Sequence, residues 1–184
     1  MKMKSMLLAL AAALAACAAQ AQVYVVASGG LSQAEEFCDR YTVRCKESGT
    51  GLKLLVGQHI GPDIGLEIGY YSLGKASGLD GYYSPAPSFS IRTDGPGVGL
   101  AGFLELTPQV RLFARGALAA MNTRFTYDGV TESDRNLTLL LGAGLGLQLQ
   151  RNLSLDLSVD FGKHEYRGAT SPVTVVGLGI TAGF

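Results

Sequence analysis

Charge is scarce in this chain: Asp, Glu, Lys and Arg make up 16% of its 184 residues, against roughly 25% in soluble domains. So small a set is a poor endowment for a surface that faces water on all sides. The charge present also cancels, with 15 basic and 15 acidic residues, and that balance argues against nucleic acid as a partner. Histidine occurs twice and tryptophan not at all. Helical periodicity is almost missing, and the one long apolar run, Met6 to Ala19, stands at the N-terminus. No cofactor is expected.

That run follows the basic residues Lys2 and Lys4 and ends at Ala19-Gln20-Ala21, a small-residue cleavage site. The layout predicts a secretory signal over residues 1–21, because the apolar stretch is too short and alanine-rich for a spanning helix. The mature chain would then be one domain, residues 22–184, with a net charge near −2. Leu14-Ala15-Ala16-Cys17 also resembles a lipobox, at which a lipoprotein is cut and acylated on cysteine. Strand-like sequence beginning at Val23 leaves such an anchor hardly any tether.

The mature segment holds two cysteines, Cys38 and Cys45, in a polar stretch. Export to an oxidising compartment makes a disulfide stapling a surface loop the natural reading. The six-residue gap and the lack of a nearby histidine speak against a metal site.

What the sequence does have is two-residue alternation, which sets successive side chains on opposite faces of a strand. Leu153, Leu155, Leu157, Val159 and Phe161 alternate with Ser154, Asp156, Ser158, Asp160 and Gly162. Leu137, Leu139, Leu141, Ala143, Leu145, Leu147 and Leu149 alternate with Thr138, Leu140, Gly142, Gly144, Gly146 and Gln148. Further strands are predicted at about residues 22–30, 50–60, 64–73, 95–107, 109–123 and 172–184, giving eight. Tight turns at Gly61-Pro62-Asp63, Thr107-Pro108-Gln109 and Arg151-Asn152 alternate with longer polar connections at 31–49, 74–94, 124–136 and 163–171. Short turns on one side and long loops on the other are the pattern of an up-and-down transmembrane β-barrel.

A soluble barrel alternates as well, so facing must be decided separately. Seven charges fall within predicted strands: Lys53, Glu67, Glu105, Arg111, Arg115, Asp156 and Asp160. Each lies on the glycine and small-polar face, none on the Leu/Val face. A narrow interior suits glycines that leave room for a few long side chains, so the Leu/Val face is expected to meet lipid. Charges so confined must be paired and hydrogen-bonded, and a plugged interior is expected. Tyr70, Tyr71, Phe161 and Phe184 stand near strand ends, where aromatic girdles form.

Several segments carry a family resemblance. Tyr24-Val25-Val26-Ala27-Ser28-Gly29-Gly30 resembles the opening strand of the OmpA-like outer-membrane β-barrel family, and the hairpin from Gly51 to Lys75 is similar to that family's next two strands. Gly179-Ile180-Thr181-Ala182-Gly183-Phe184 resembles the terminal signal read by the barrel-assembly machinery, with Gly179 five residues before Phe184. Ala182 departs from it, since a bulky apolar residue is usual there. The resemblance implies an outer-membrane location and that machinery as a partner in biogenesis. Family members often add a peptidoglycan-binding domain, which this chain is not expected to carry.

Three classes of function compete. The first is a structural and surface-interaction protein whose loops meet lipopolysaccharide, host or neighbouring molecules. The charges of loop 31–49 are too mixed in sign for a single polyanionic partner. The second is a small pore. The third is a lipid A-modifying enzyme, which needs an activated nucleophile or an acid–base pair at the rim. His59 reads as a polar residue at a periplasmic turn, and His164 stands beside Glu165 without the His-x-Ser-Asn run of the deacylases. No catalytic residue is assigned.

Overall fold

The computed structural model describes residues 23–34, 42–84 and 86–184. The predicted signal segment, Cys17 and Cys38 lie outside them. Among the described residues there are nine strands: β1 (Val23–Ala34), β2 (Thr42–Lys46), β3 (Ser48–His59), β4 (Ile64–Asp80), β5 (Ser88–Thr107), β6 (Val110–Tyr127), β7 (Val130–Gln150), β8 (Leu153–Tyr166) and β9 (Ala169–Gly183). Eight of them form a closed antiparallel barrel. β1 pairs with both β3 and β9, the remaining neighbours pair in chain order, and β4 with β5 completes the ring. β2 is a short extension that continues the line of β3 along the outer end of β4.

Closure pairs both edges of all eight barrel strands, which a hydrocarbon environment demands because no water is there to bond stray N–H and C=O groups. At the chain ends Phe184 donates its N–H to the Val23 carbonyl at 2.8 Å. The turns on this side are tight. Thr107 Oγ1 accepts from the N–H groups of Gln109 and Val110, fixing the β5–β6 reversal. At the opposite end the strands run on past the apolar belt and the β1–β2 and β4–β5 connections are longer, so this is the periplasmic end.

Exposure follows the predicted alternation. Along β8, Leu155, Leu157 and Phe161 point outward while Ser154, Asp156 and Ser158 are buried. Leu141 in β7 is 52% exposed and Leu157, two residues from the Ala143–Val159 pair, 49%. These side chains, with Leu54, Val56, Ile68, Val98, Leu118 and Leu178, form an apolar belt around the barrel. An exposed apolar belt of this extent has no rationale in water and a direct one in lipid.

Among the described residues, the four connections predicted as long and polar prove to be mostly strand. β5 and β7 run to 20 and 21 residues, twice the roughly 9–11 that cross a bilayer. The 124–136 segment shrinks to a two-residue hairpin at Asp128-Gly129, and 163–171 to Arg167-Gly168. All four of these residues have positive φ, between 45° and 83°, the primed-turn geometry that matches strand twist. Beyond the lipid the outward face meets water, so apolar alternation fades there while the backbone ladder continues. That fading is why the extensions read as loops.

Candidate functional site

The barrel interior is built in tiers. Nearest the periplasm, Asp156 accepts hydrogen bonds from the hydroxyls of Ser154 at 2.9 Å and Thr181 at 2.5 Å. Arg111 stands 4.0 Å from the same carboxylate and donates to Ser154 Oγ at 3.1 Å. Above it, Glu67 is 1% exposed and its Oε1 accepts from Tyr24 Oη at 2.9 Å and Arg115 Nε at 3.1 Å. The Arg115 guanidinium also lies over the Phe113 ring, 4.0 Å from its centre. Lys53 Nζ donates to both oxygens of Asp160 at 2.7 Å, and Ser158 supports that carboxylate at 3.0 Å.

Six of the seven sequence-predicted charges therefore meet as three oppositely charged pairs. Glu105 departs. It lies across from Arg111 in register yet is exposed and forms no ion pair among the described residues, because the last residues of β5 stand in the open periplasmic mouth. That mouth is a cavity of about 780 Å³ lined by residues including His59, Phe103, Glu105, Arg111 and Arg151. Glycine supplies the room for bulk. The Tyr24 ring covers Gly57 and Gly65 so closely that a Cβ at either would collide with it.

Toward the outside the lumen turns apolar. Leu73, Ala76, Ile91, Met121, Leu140, Val173 and Val175 pack together, and Phe125, stacked on Tyr166 at 5.2 Å, lies against them. Of these, Leu140 falls on the inner face of the sequence alternation. Leu73, Met121, Val173 and Val175 keep the inward parity of their predicted strands, the signal that marks them, whereas Ala76, Ile91, Phe125 and Tyr166 lie in the strand extensions whose sequence carries no such alternation.

The histidines sit differently from their sequence positions. His59 packs its ring against Tyr24 at 4.9 Å and Phe103 at 5.2 Å, so it is part of an aromatic cluster at the mouth. His164 is 2% exposed, with Nδ1 2.7 Å from Thr93 Oγ1, which in turn is 2.9 Å from Thr123 Oγ1. Glu165, its sequence neighbour, points the other way and pairs with Lys163 at 2.6 Å. Alternation thus separates the two groups that would have formed an acid–base pair.

At the outer rim the β4–β5 connection carries exposed Tyr82 and Tyr83, and the β6–β7 hairpin carries exposed Tyr127 and Val130. The β8–β9 hairpin is held down by charge. Arg167 pairs with Glu132 at 2.9 Å and donates its backbone N–H to Asp134 at 3.1 Å. That N–H, with the Asn136 amide, holds the Asp134 carboxyl below its usual range. Tyr166 also hydrogen-bonds Glu132. Cys45 lies in β2, while Cys38 is outside the described residues.

An apolar outside, an ion-paired inside and full closure define a small transmembrane β-barrel. The family model of the outer membrane protein beta-barrel domain matches residues 5–184, and the chain belongs to that family. It is an integral protein of the bacterial outer membrane. No curated protein matches the sequence. In fold it is similar to neisserial surface protein A (14% identity, TM-score 0.63, covering 88% of this chain and 97% of that one). It is also similar to Ail, the attachment invasion locus protein of Yersinia pestis, solved in complex with the heparin analogue sucrose octasulfate (17%, 0.59, 89% and 99%). A third similar structure is the N-terminal β-barrel domain of Pseudomonas aeruginosa OprF (15%, 0.59, 90% and 100%).

Proposed function

We propose that this protein is a structural and surface-interaction component of the outer membrane, with a plugged interior and a projecting rim that meets envelope or host molecules. The observation that carries this reading is the division of labour along the barrel. Paired charges and an apolar plug fill the lumen, while β4 to β7 continue past the lipid belt and end in exposed aromatics. Exposed tyrosines at the ends of paired strands suit recognition, since they offer large contact area at low entropic cost. The similarity to Ail, whose structure holds a sulfated sugar, agrees with a surface role.

The test has two parts. In a planar bilayer the purified protein should show conductance at or near zero; sustained unitary steps would favour a pore and sink the plug. Deletion of the gene should alter detergent sensitivity or host-cell adhesion, and complementation with a Tyr82→Ala/Tyr83→Ala/Val130→Ser rim variant should fail to restore it. Full restoration by that variant would remove the rim from the account. A lipid A-modifying activity has less support, given the burial of His164 and the outward turn of Glu165. Equal lipid A deacylation in strains carrying the intact protein and His164→Ala would speak against a role for that histidine.

A further inference from the structure

The outward faces of β4 to β7 change character at one level. The last apolar outward residues are Tyr70, opposite Pro96, and Ala120, opposite Leu137. Directly above runs a register row of Ser72, Asp94, Asn122 and Arg135. The next row is Lys75, Arg92, Arg124 and Ser133. Four cations thus occupy two successive tiers on four adjacent strands, a patch roughly 15 Å wide at ordinary strand spacing.

One carboxylate opposes them. Asp94 is 4% exposed and lies beneath the patch, with Arg124 at 3.2 Å, Arg92 at 4.0 Å and the Tyr70 hydroxyl against it. It positions the two arginines but cannot neutralise the group. The Arg92 and Arg124 side chains remain 53% and 46% exposed. Lys75 and Arg135 form no ion pair among the described residues. Glu132 and Asp134, close in sequence, are occupied by the β8–β9 hairpin. On β8, by contrast, the outward Lys163 is matched by Glu165.

We propose that this tier binds the phosphorylated sugar headgroup of outer-leaflet lipopolysaccharide. The inference rests on the surface-interaction reading above and names a partner and a site for it. Depth selects the ligand: a patch facing lipid, one residue pair above the apolar belt, stands where headgroups lie. Chemistry selects phosphate, since guanidinium groups match phosphate oxygens in a planar fork and the ammonium of Lys75 adds a point charge. Basic side chains at that height attract anionic lipid, and the exposed Ser133 adds a neutral hydrogen-bonding group beside Arg124.

The test titrates the full folded protein in detergent with bisphosphorylated lipid A, its dephosphorylated counterpart and inorganic phosphate, with bound lipid counted by native mass spectrometry. Bisphosphorylated lipid A should bind at least about tenfold more tightly than the dephosphorylated form, with affinity falling as salt rises. A Lys75→Gln/Arg92→Gln/Arg124→Gln/Arg135→Gln variant should lose most of that preference, and Lys163→Gln should keep it. Equal binding of both lipids, or an unchanged quadruple variant, overturns the proposal. Displacement by millimolar inorganic phosphate marks a free-anion site and overturns the lipid assignment. Should the quadruple variant not fold, Lys75→Gln/Arg135→Gln, which leaves Asp94 its partners, must still weaken binding of the phosphorylated lipid. The adhesion and detergent phenotypes above read out the rim, so a failure here leaves that reading standing.

Discussion

Leu141→Arg or Leu157→Arg should destabilise the barrel in lipid by about 2–4 kcal/mol each if these positions lie near the midplane. Both side chains project from the belt with about half their surface uncovered by protein, and their backbones sit in the same β7–β8 ladder. The cost would come from desolvating a guanidinium in hydrocarbon, with no partner on that face. Reversible urea unfolding in phospholipid vesicles measures it. A shift below about 0.5 kcal/mol, the range of ordinary surface substitutions, would place the leucines in water or against protein and reverse the facing of the barrel.

Glu67→Gln should cost about 3–5 kcal/mol, because breaking a buried ion pair by removing one partner leaves the other charge uncompensated. Arg115 is 7% exposed; without Glu67 it keeps only the Phe113 ring as a named contact. The signature is non-additivity. A Glu67→Gln/Arg115→Met double variant should recover most of the loss, since neutral side chains of similar volume can fill the space. Glu105→Gln, a carboxylate removed from the open mouth, should change stability by less than about 0.5 kcal/mol. If the double variant is as damaged as the sum of its single changes, Glu67 and Arg115 are not coupled.

The membrane-crossing half of the barrel was legible because lipid imposes one rule on one face. Leu153 to Phe161 alternate without a break and Leu137 to Leu149 with one exception, Leu140, and parity alone placed Lys53, Glu67, Arg111, Arg115, Asp156 and Asp160 inside. Their partners were not legible. Glu67 meets Arg115 over the intervening β5, and Lys53 on β3 meets Asp160 on β8 across the lumen, contacts set by the curvature and closure of the sheet.

The outer half obeyed no such rule. There both faces can be polar, so Arg92 and Arg124 on the outside and Thr93 and Thr123 on the inside gave no contrast to read. Asp128-Gly129 was the missed signal, since this dipeptide is a strong mark of a two-residue hairpin. Arg167-Gly168 was harder, because arginine seldom takes the positive φ of 48° that it has here.

The central claim is a closed hydrogen-bonded barrel with its apolar belt outward, and gel migration tests it most directly. Folded in detergent and loaded without heating, the protein should migrate at a position distinct from the boiled sample, because closure leaves no edge at which mild detergent can open the sheet. One position before and after boiling would contradict the account.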